Sequence, residues 1–177
     1  MRRLCVLAAL GCVTLAAQEG DGAILAPYYP TPLTVVEKML QLGELKAGEK
    51  MFDLGSGDGR IVIMAAQKFH AQAVGIELNK DLAKLSSDKI RKLKLEQTAH
   101  IVNGDLLKQD YSSADLITLY LFPGFIDKVR PLLDQQLKKG ARVVAHDFEF
   151  KNWTPERVES IADDGDGRSH TLFLYRK

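Results

Sequence analysis

Three carboxylates, Asp53, Glu77 and Asp105, stand in or just after short apolar runs that predict buried strands. Asp53 precedes the first glycine of a glycine-rich turn by two residues, where its charge would repel a pyrophosphate and suit a ligand carrying an amine and a sulfonium. Glu77 lies 18 positions after Gly59, near the separation at which α/β nucleotide sites hold ribose hydroxyls. Asp105 can accept from the exocyclic amine of adenine while Leu106 packs on the ring. Together these residues predict a site for an adenosyl-sulfonium ligand.

The glycine-rich turn, residues 53–60 with the sequence DLGSGDGR, lies between an apolar strand and the apolar start of a helix. Strand, glycine turn and helix make the nucleotide-binding corner of an open α/β sheet, where ligands bind beyond the carboxyl ends of the strands. Gly55, Gly57 and Gly59 would let a ligand approach the backbone around Ser56. The spacing G-x-G-x-G differs from the G-x-G-x-x-G of dinucleotide sites. The alternative is a tight loop that happens to be rich in glycine.

A second group of candidate residues follows the fourth predicted strand, whose end reads Tyr120, Leu121, Phe122 and Pro123. In an open α/β sheet this strand lies beside the first one, so Tyr120, Phe122 and Pro123 are expected to face the reacting group of the ligand. The alternative is that they only complete the core and make a turn. His146, just after the fifth strand, is the candidate for a general base, with a purely structural histidine as the alternative.

The carboxylates also have simpler interpretations. Glu77 could be a solvated strand end, and Asp105 could cap the N-terminus of a helix. The loop 163–167, DDGDG, is rich in Asp and Gly but lacks the 12-residue pattern and closing glutamate of a calcium loop. It predicts a hairpin turn, and the sequence predicts no metal site.

The order of these patterns, strands alternating with helices, predicts the fold. It is an α/β, doubly wound, mostly parallel, seven-stranded Rossmann-like sheet with a C-terminal antiparallel hairpin. The predicted helices cover residues 33–42, 58–69, 80–93 and 126–137, the last of them interrupted early by Pro131.

An extended segment, PYYPTP at residues 27–32, precedes the first helix because its prolines exclude a helix interior. It is either a covering strap or one wall of the ligand pocket, formed by Tyr28 or Tyr29. Thr31 or Thr34 is predicted to cap the helix that follows.

The composition bounds the class of protein. A chain of 177 residues suffices for one domain with a sizeable core, and the net charge of +1 indicates no nucleic-acid partner. Both cysteines, Cys5 and Cys12, precede the body of the chain. Disulfides, a thiolate nucleophile and a cysteine-ligated metal are therefore excluded from the body.

The first 17 residues differ from the rest: two arginines precede an uncharged apolar run, as in a secretory signal peptide. We therefore expect a leader over residues 1–17, a linker over 18–26 and one domain over 27–177. The run is shorter than the roughly 20 residues of a membrane-spanning helix. A retained membrane-surface anchor and a mis-assigned start codon are the alternatives.

Four strings, DLGSGDGR, GIELN, GDLL and LYLFP, resemble the class I S-adenosylmethionine (SAM) dependent methyltransferases. Two more, PYYPTP and RVVAHDFEFKNWTPERV, are similar to a narrower group. It comprises small bacterial methyltransferases and the mitochondrial lysine methyltransferases that act on the adenine nucleotide translocase and on the c-subunit of ATP synthase. Non-SET histone lysine methyltransferases are more distant relatives.

The resemblance implies SAM as cofactor and a protein lysine as methyl acceptor, with roles carried over to matching positions. The methionine part of SAM would lie against Asp53, Gly55, Ser56, Gly57 and Gly59. Glu77 would take the ribose, Asp105 and Leu106 the adenine, and residues 120–123 would border the acceptor. A small-molecule methyltransferase and a non-catalytic SAM-binding module are the alternatives.

A lysine acceptor must lose a proton before transfer, and an aromatic slot favours this by desolvating the amine. Tyr120 and Phe122 are the residues expected to form that slot, with Trp153 as an outer candidate. Localisation is left open: the leader favours export or membrane anchoring, whereas the supply of SAM favours access to the cytoplasm.

Overall fold

The structure, a computed structural model, describes residues 29–177. The predicted leader (1–17), the predicted linker (18–26) and Tyr28 lie outside the described residues. None of the helices in the described part combines the length and the apolarity that crossing a bilayer requires.

One sheet of seven strands organises the described chain. The strands are β1 (Lys50–Leu54), β2 (Gln72–Glu77), β3 (Ala99–Asn103), β4 (Leu116–Leu119), β5 (Arg142–His146), β6 (Arg157–Ile161) and β7 (His170–Arg176). The helices are α1 (Leu33–Leu42), α2 (Arg60–Phe69), α3 (Lys80–Lys92) and α4 (Pro123–Gln136), with a 3₁₀ turn at Leu106–Lys108.

The strand order is β3-β2-β1-β4-β5-β7-β6. The first five strands in this order are parallel, whereas β7 is antiparallel to both of its neighbours. The predicted doubly wound sheet with a C-terminal hairpin is confirmed. The strand order reverses between β1 and β4. At this switch point the connections diverge to opposite sides, so that a crevice forms above the carboxyl ends of the strands.

Both faces of the sheet are covered, which is why its central strands are mostly apolar. Met51 packs into the layer that contains α1 and α2. Phe52 and Leu54 pack into the layer that contains α4. Asp53, between them, pairs in register with Gly75 on β2 and Thr118 on β4, so a carboxylate is fixed at the centre of the sheet.

Helix α4 differs from its prediction, because it begins at Pro123 and runs through Pro131 without interruption. Proline suits a first helical position, where its missing N–H has no intrahelical partner to lose. At Pro131 one helical hydrogen bond is lost. Buried Ile126, Val129 and Leu133 anchor the helix on both sides of that proline, so packing outweighs the loss.

The predicted caps of α1 are wrong. The N-cap residue is Pro32, and no side chain caps the helix. Thr31 instead lies within 3.3 Å of the His146 ring through its hydroxyl. Thr34 donates to the carbonyl of Asp164 at 2.8 Å. Thr31 therefore attaches the start of α1 to the end of β5, and Thr34 attaches it to the loop between β6 and β7.

Candidate active site

A cavity of about 350 Å³ lies above the carboxyl ends of β1, β2 and β4, at the switch point of the sheet. Its lining comes from the extended segment 29–32, here called the strap, from the glycine-rich turn, and from the loops after β2, β3, β4 and β5. The lining residues are Tyr29, Pro30, Thr31, Asp53, Gly55, Ser56, Gly57, Asp58, Arg60, Ile61, Glu77, Leu78, Leu82, Leu106, Tyr120, Leu121, Phe122, Phe125 and Phe148.

The glycine-rich turn forms one wall. Gly55 has φ 79°, a left-handed conformation that a side chain would strain. The Ser56 hydroxyl is buried and has no hydrogen-bond partner within residues 29–177. A Cβ at Gly75 would meet that hydroxyl at 2.6 Å, so the glycine on β2 makes room for it. A buried hydroxyl without a partner, on a residue that lines the cavity, is a group that a polar ligand can satisfy.

Asp53 lies at the base of the cavity and is only 2% exposed. One of its carboxylate oxygens accepts from the Thr118 hydroxyl at 2.8 Å. Burial raises the pKa of Asp53 to about 7, and the negative charges of Glu77 and Asp58 add to this while the Thr118 bond opposes it. A cation placed in the cavity would favour the ionised carboxylate.

Glu77 is held in position by the backbone on both sides. Its Oε2 accepts from the Gly57 amide at 2.7 Å, and its Oε1 accepts from the Asn79 amide at 2.8 Å. The carboxylate is thus fixed against the glycine-rich turn, and each oxygen keeps a lone pair for a further donor. A pair of neighbouring hydroxyls, as on a ribose, would match this orientation.

Asp58 connects the glycine-rich turn to two cations that the sequence analysis did not single out. Arg60 Nε contacts its Oδ1 at 2.9 Å, and Lys89 Nζ contacts its Oδ2 at 2.8 Å. Burial acts to raise the pKa of Asp58, but the two cations outweigh it and hold that pKa well below its usual range. Arg60 also donates to the carbonyl of Thr31 at 2.8 Å, which fixes the strap over the cavity.

The other end of the cavity is aromatic. Tyr120 stacks with Phe148 at 6.2 Å between ring centroids, and Phe122 contacts the same ring at 5.8 Å. Phe122 is 45% exposed and Tyr29 is 55% exposed, so this end opens to solvent between apolar rings. Such a slot suits an alkyl chain that ends in an uncharged group.

His146 lies behind this end and does not line the cavity. Its ring packs against Tyr120 at 4.0 Å between centroids. Burial lowers the pKa of His146 to about 4, although Asp147 opposes the shift. Burial raises the pKa of Tyr120, and the nearby Asp147 carboxylate raises it further. His146 can therefore act on a bound molecule only through residues that touch its ring and line the cavity, namely Tyr120 and Thr31.

The cavity brings together eight of the twelve predicted site residues. Those that line it are Asp53, Gly55, Ser56, Gly57, Glu77, Leu106, Tyr120 and Phe122. The roles assigned to all twelve residues stay predictions.

The other four lie next to the cavity wall. Gly59 is the N-cap of α2, and a Cβ there would meet Ser86 at 2.8 Å. Asp105 caps the 3₁₀ turn by accepting from the Leu107 amide at 2.8 Å. Pro123 is the first residue of α4. His146 packs behind Tyr120.

Trp153 stacks on Phe150 beside a separate cavity of about 280 Å³, away from the predicted acceptor slot. Polar residues at the site that were not predicted include Asp58, Arg60, Lys89, Thr118 and Asp147. Arg60 belongs to the DGR end of the glycine motif and could have been noticed there. Thr118 and Asp147 carry no signal of their own in the sequence.

The residues of the cavity fit SAM. Two carboxylates, Asp53 and Glu77, face a ligand that is cationic at its amine and at its sulfonium. The unpartnered Ser56 hydroxyl and the left-handed Gly55 allow close approach of a polar group. Leu106 and Leu78 offer apolar faces against which an adenine ring can pack.

Comparison with known proteins gives three findings. The model of the ANTKMT methyltransferase domain family matches residues 53–157. A protein-lysine N-methyltransferase of Saccharolobus islandicus is 38% identical over 84% of this chain and 92% of its own length. The human lysine N-methyltransferase of the ATP synthase C-subunit is 32% identical over 76% of this chain, which covers 57% of that protein.

One solved structure is similar to this chain over most of its length. It is an RNA methyltransferase from Salinibacter ruber in complex with S-adenosyl-L-homocysteine. Its sequence is 38% identical to this chain, its TM-score is 0.77, and the match covers 84% of this chain and 93% of that one.

Proposed function

The chain belongs to the ANTKMT methyltransferase domain family, and from this premise we propose that it transfers a methyl group from SAM to a lysine side chain of a protein. When bound, SAM supplies a methyl group on a sulfonium, which an unprotonated amine accepts by in-line displacement. The residues of this chain must therefore hold the cofactor, align the acceptor and favour the neutral amine.

One observation carries the proposal: the cavity has a carboxylate end and an aromatic end that meet at the switch point. Asp53 and Glu77 lie at the first end, and Tyr120, Phe122 and Phe148 lie at the second. The carboxylates match a cationic cofactor, and the aromatic rings match the alkyl chain of lysine.

The aromatic end also addresses the protonation of lysine. A lysine with a pKa of about 10.4 requires on the order of 4 kcal/mol to lose its proton near pH 7.4. Apolar surroundings disfavour the ammonium form and lower that cost. Since the rings of Tyr120 and Phe122 replace part of the water around an amine that lies between them, we assign them to positioning and desolvating the acceptor.

The test is incubation of the purified protein with methyl-labelled SAM and extracts separated into protein, RNA and small-molecule fractions. The expected result is label in a polypeptide, located on lysine by mass spectrometry. A Glu77→Gln variant, with a weakened cofactor site, is the matched control and should leave the protein fraction unlabelled. Label confined to RNA or to small molecules would contradict the proposal, and no label in any fraction would indicate a SAM-binding module without catalysis.

RNA is the second acceptor class to test, because the Salinibacter ruber protein is named an RNA methyltransferase. The chain itself offers no bulk electrostatic attraction to a polyanion, since its net charge is +1. Protein lysine is favoured by the names of the Saccharolobus islandicus and human relatives.

We propose further that residues 1–17 act as a retained membrane-surface anchor, which leaves the catalytic domain with access to cytoplasmic SAM. The basic and apolar character of this segment and the need for the cofactor support the proposal. N-terminal sequencing of the protein isolated from membrane and soluble fractions tests it. A mature chain that begins after residue 17 would contradict it.

A further inference from the structure

Three potential metal ligands face one another behind Tyr120, where β5 ends and β7 begins. His146 Nε2 lies 2.9 Å from His170 Nδ1, and Asp147 Oδ2 lies 3.0 Å from His170 Nδ1 and 3.4 Å from His146 Nε2. The two histidines are 1% and 6% exposed. Within residues 29–177 this is the cluster in which His and carboxylate ligand atoms come within metal-binding reach of one another.

The outer nitrogens of both rings have oxygen partners of their own. His146 Nδ1 lies 3.3 Å from the Thr31 hydroxyl, and His170 Nε2 lies 3.3 Å from Asp164 Oδ2. In metal sites a ligating histidine uses one nitrogen for the ion and donates its other N–H to an outer oxygen, often a carboxylate. Both histidines have this arrangement, with the inner nitrogens 2.9 Å apart.

His170 has a carboxylate oxygen next to each of its ring nitrogens, from Asp147 at Nδ1 and from Asp164 at Nε2. With an ion bound at Nδ1, the Nε2–H of a neutral imidazole would donate to Asp164.

Asp147 is already oriented to serve as the third ligand of a metal ion, beside the two histidines. Its Oδ1 accepts from the Thr171 amide at 2.9 Å, which leaves Oδ2 directed at the two histidines. Three atoms separated by these distances can all lie about 2.0–2.2 Å from one ion, the usual range for zinc bound by nitrogen and carboxylate oxygen.

We propose that His146, His170 and Asp147 form a site for a divalent transition-metal ion, with Zn²⁺ as the ion that two imidazoles and one carboxylate suit best. The ion links the end of β5 to the start of β7 and, through Thr31, to the strap. It also fixes the His146 ring on which Tyr120 packs. His146 thereby becomes a ligand that positions the acceptor end of the cavity.

The experiment uses the full chain without a polyhistidine tag, carrying Cys5→Ser and Cys12→Ser so that its cysteines cannot bind metal. After treatment with a chelator the protein is titrated with Zn²⁺ by calorimetry, and with Co²⁺ in the visible spectrum. We expect one ion per chain, visible absorption bands from bound Co²⁺, and a melting temperature that rises with Zn²⁺.

Variants locate the ion. His146→Ala and His170→Ala should each lose the one-ion stoichiometry, and Asp164→Asn should bind 10- to 100-fold more weakly through loss of the outer partner. His100→Ala, at an exposed histidine of β3, is the matched control and should bind as the parent does. Circular dichroism verifies that each variant is folded.

Two results would overturn the proposal. One is a folded parent chain that takes up neither Zn²⁺ nor Co²⁺, which would mean that the cluster holds a proton instead. The other is metal uptake that His146→Ala and His170→Ala leave unchanged. Since these measurements use no SAM and no acceptor, failure here is separate from failure of the proposed methyl transfer.

Discussion

The two ends of the cavity are built in different ways. The carboxylate end comes from two stretches close in sequence, the glycine-rich turn and the end of β2, with Glu77 hydrogen-bonded to Gly57 across 20 positions. The aromatic end joins the strap, the loop after β4 and the loop after β5, and Thr31 meets His146 across 115 positions. A site made by one local motif can be recognised in a sequence, whereas a site assembled by topology requires the fold.

The largest expected effect is at Glu77. In Glu77→Gln the side chain can no longer accept from both backbone amides, and its charge is lost. Hydrogen bonds to a charged group contribute about 1.5–3 kcal/mol each, so SAM affinity should fall by about 100-fold by calorimetry. Glu96→Gln, at an exposed glutamate, is the control. Near-parent affinity in Glu77→Gln would show that Glu77 does not hold the cofactor.

The second largest expected effect is a pH dependence of SAM affinity, which arises at Asp53 in the carboxylate end of the cavity. Because the pKa of Asp53 is raised to about 7, the carboxylate that favours a cationic ligand is populated mainly above pH 7. SAM affinity should therefore rise by about tenfold between pH 6 and pH 8, in proportion to the ionised fraction. Asp53→Asn, which keeps a partner for Thr118, should bind SAM with a flat pH profile over this range. A profile as steep as the parent's would assign the dependence to another group.

The carboxyl group of Asp53 also affects the folding stability of the protein in the absence of ligand. The pKa of Asp53 is higher in the folded chain than its ordinary 3.8. Its contribution to stability is thus fully present below pH 3.8 and is lost as the pH rises through about 7. Urea midpoints of the parent should fall over this range relative to those of Asp53→Asn.

A smaller effect is expected at the aromatic end. Tyr120→Phe keeps the ring but removes the hydroxyl near Asp147, so we expect about a fivefold lower kcat with unchanged SAM affinity. His146→Ala, by removing the ring against which Tyr120 packs, should act in the same direction. Trp153→Phe, beside the separate cavity, is the control. Full activity in both Tyr120→Phe and His146→Ala would contradict an acceptor site at this end.

The smallest expected effect is a change in SAM affinity at Asp105, and two substitutions there distinguish between two roles of this residue. The residue caps the 3₁₀ turn that carries Leu106, and it is also predicted to contact adenine. Asp105→Ser keeps a capping oxygen but is too short to reach a ligand. If the cap is the main role, SAM affinity in Asp105→Ser should stay within about twofold of the parent and fall further in Asp105→Ala. Equal losses in both variants would favour direct contact with adenine.

The sequence was informative where short-range chemistry fixes structure. Glycines around Ser56 and a carboxylate at the end of β2 predicted both the corner and its ligand, because those residues interact with near neighbours. The prediction failed at Pro123 and Pro131, where packing of α4 on the sheet decides the helix bounds. Asp147 and Thr118 could not be identified, since their meaning depends on strands that become adjacent only in the folded chain.

Thr31 contacts both ends of the cavity at once. Its carbonyl accepts from Arg60 of the glycine-rich turn, and its hydroxyl meets the His146 ring behind Tyr120. Movement of the strap at one end must therefore displace a contact at the other. We therefore expect binding of the cofactor to change the affinity for the acceptor. By thermodynamic linkage, binding of the acceptor must change the affinity for the cofactor by the same factor.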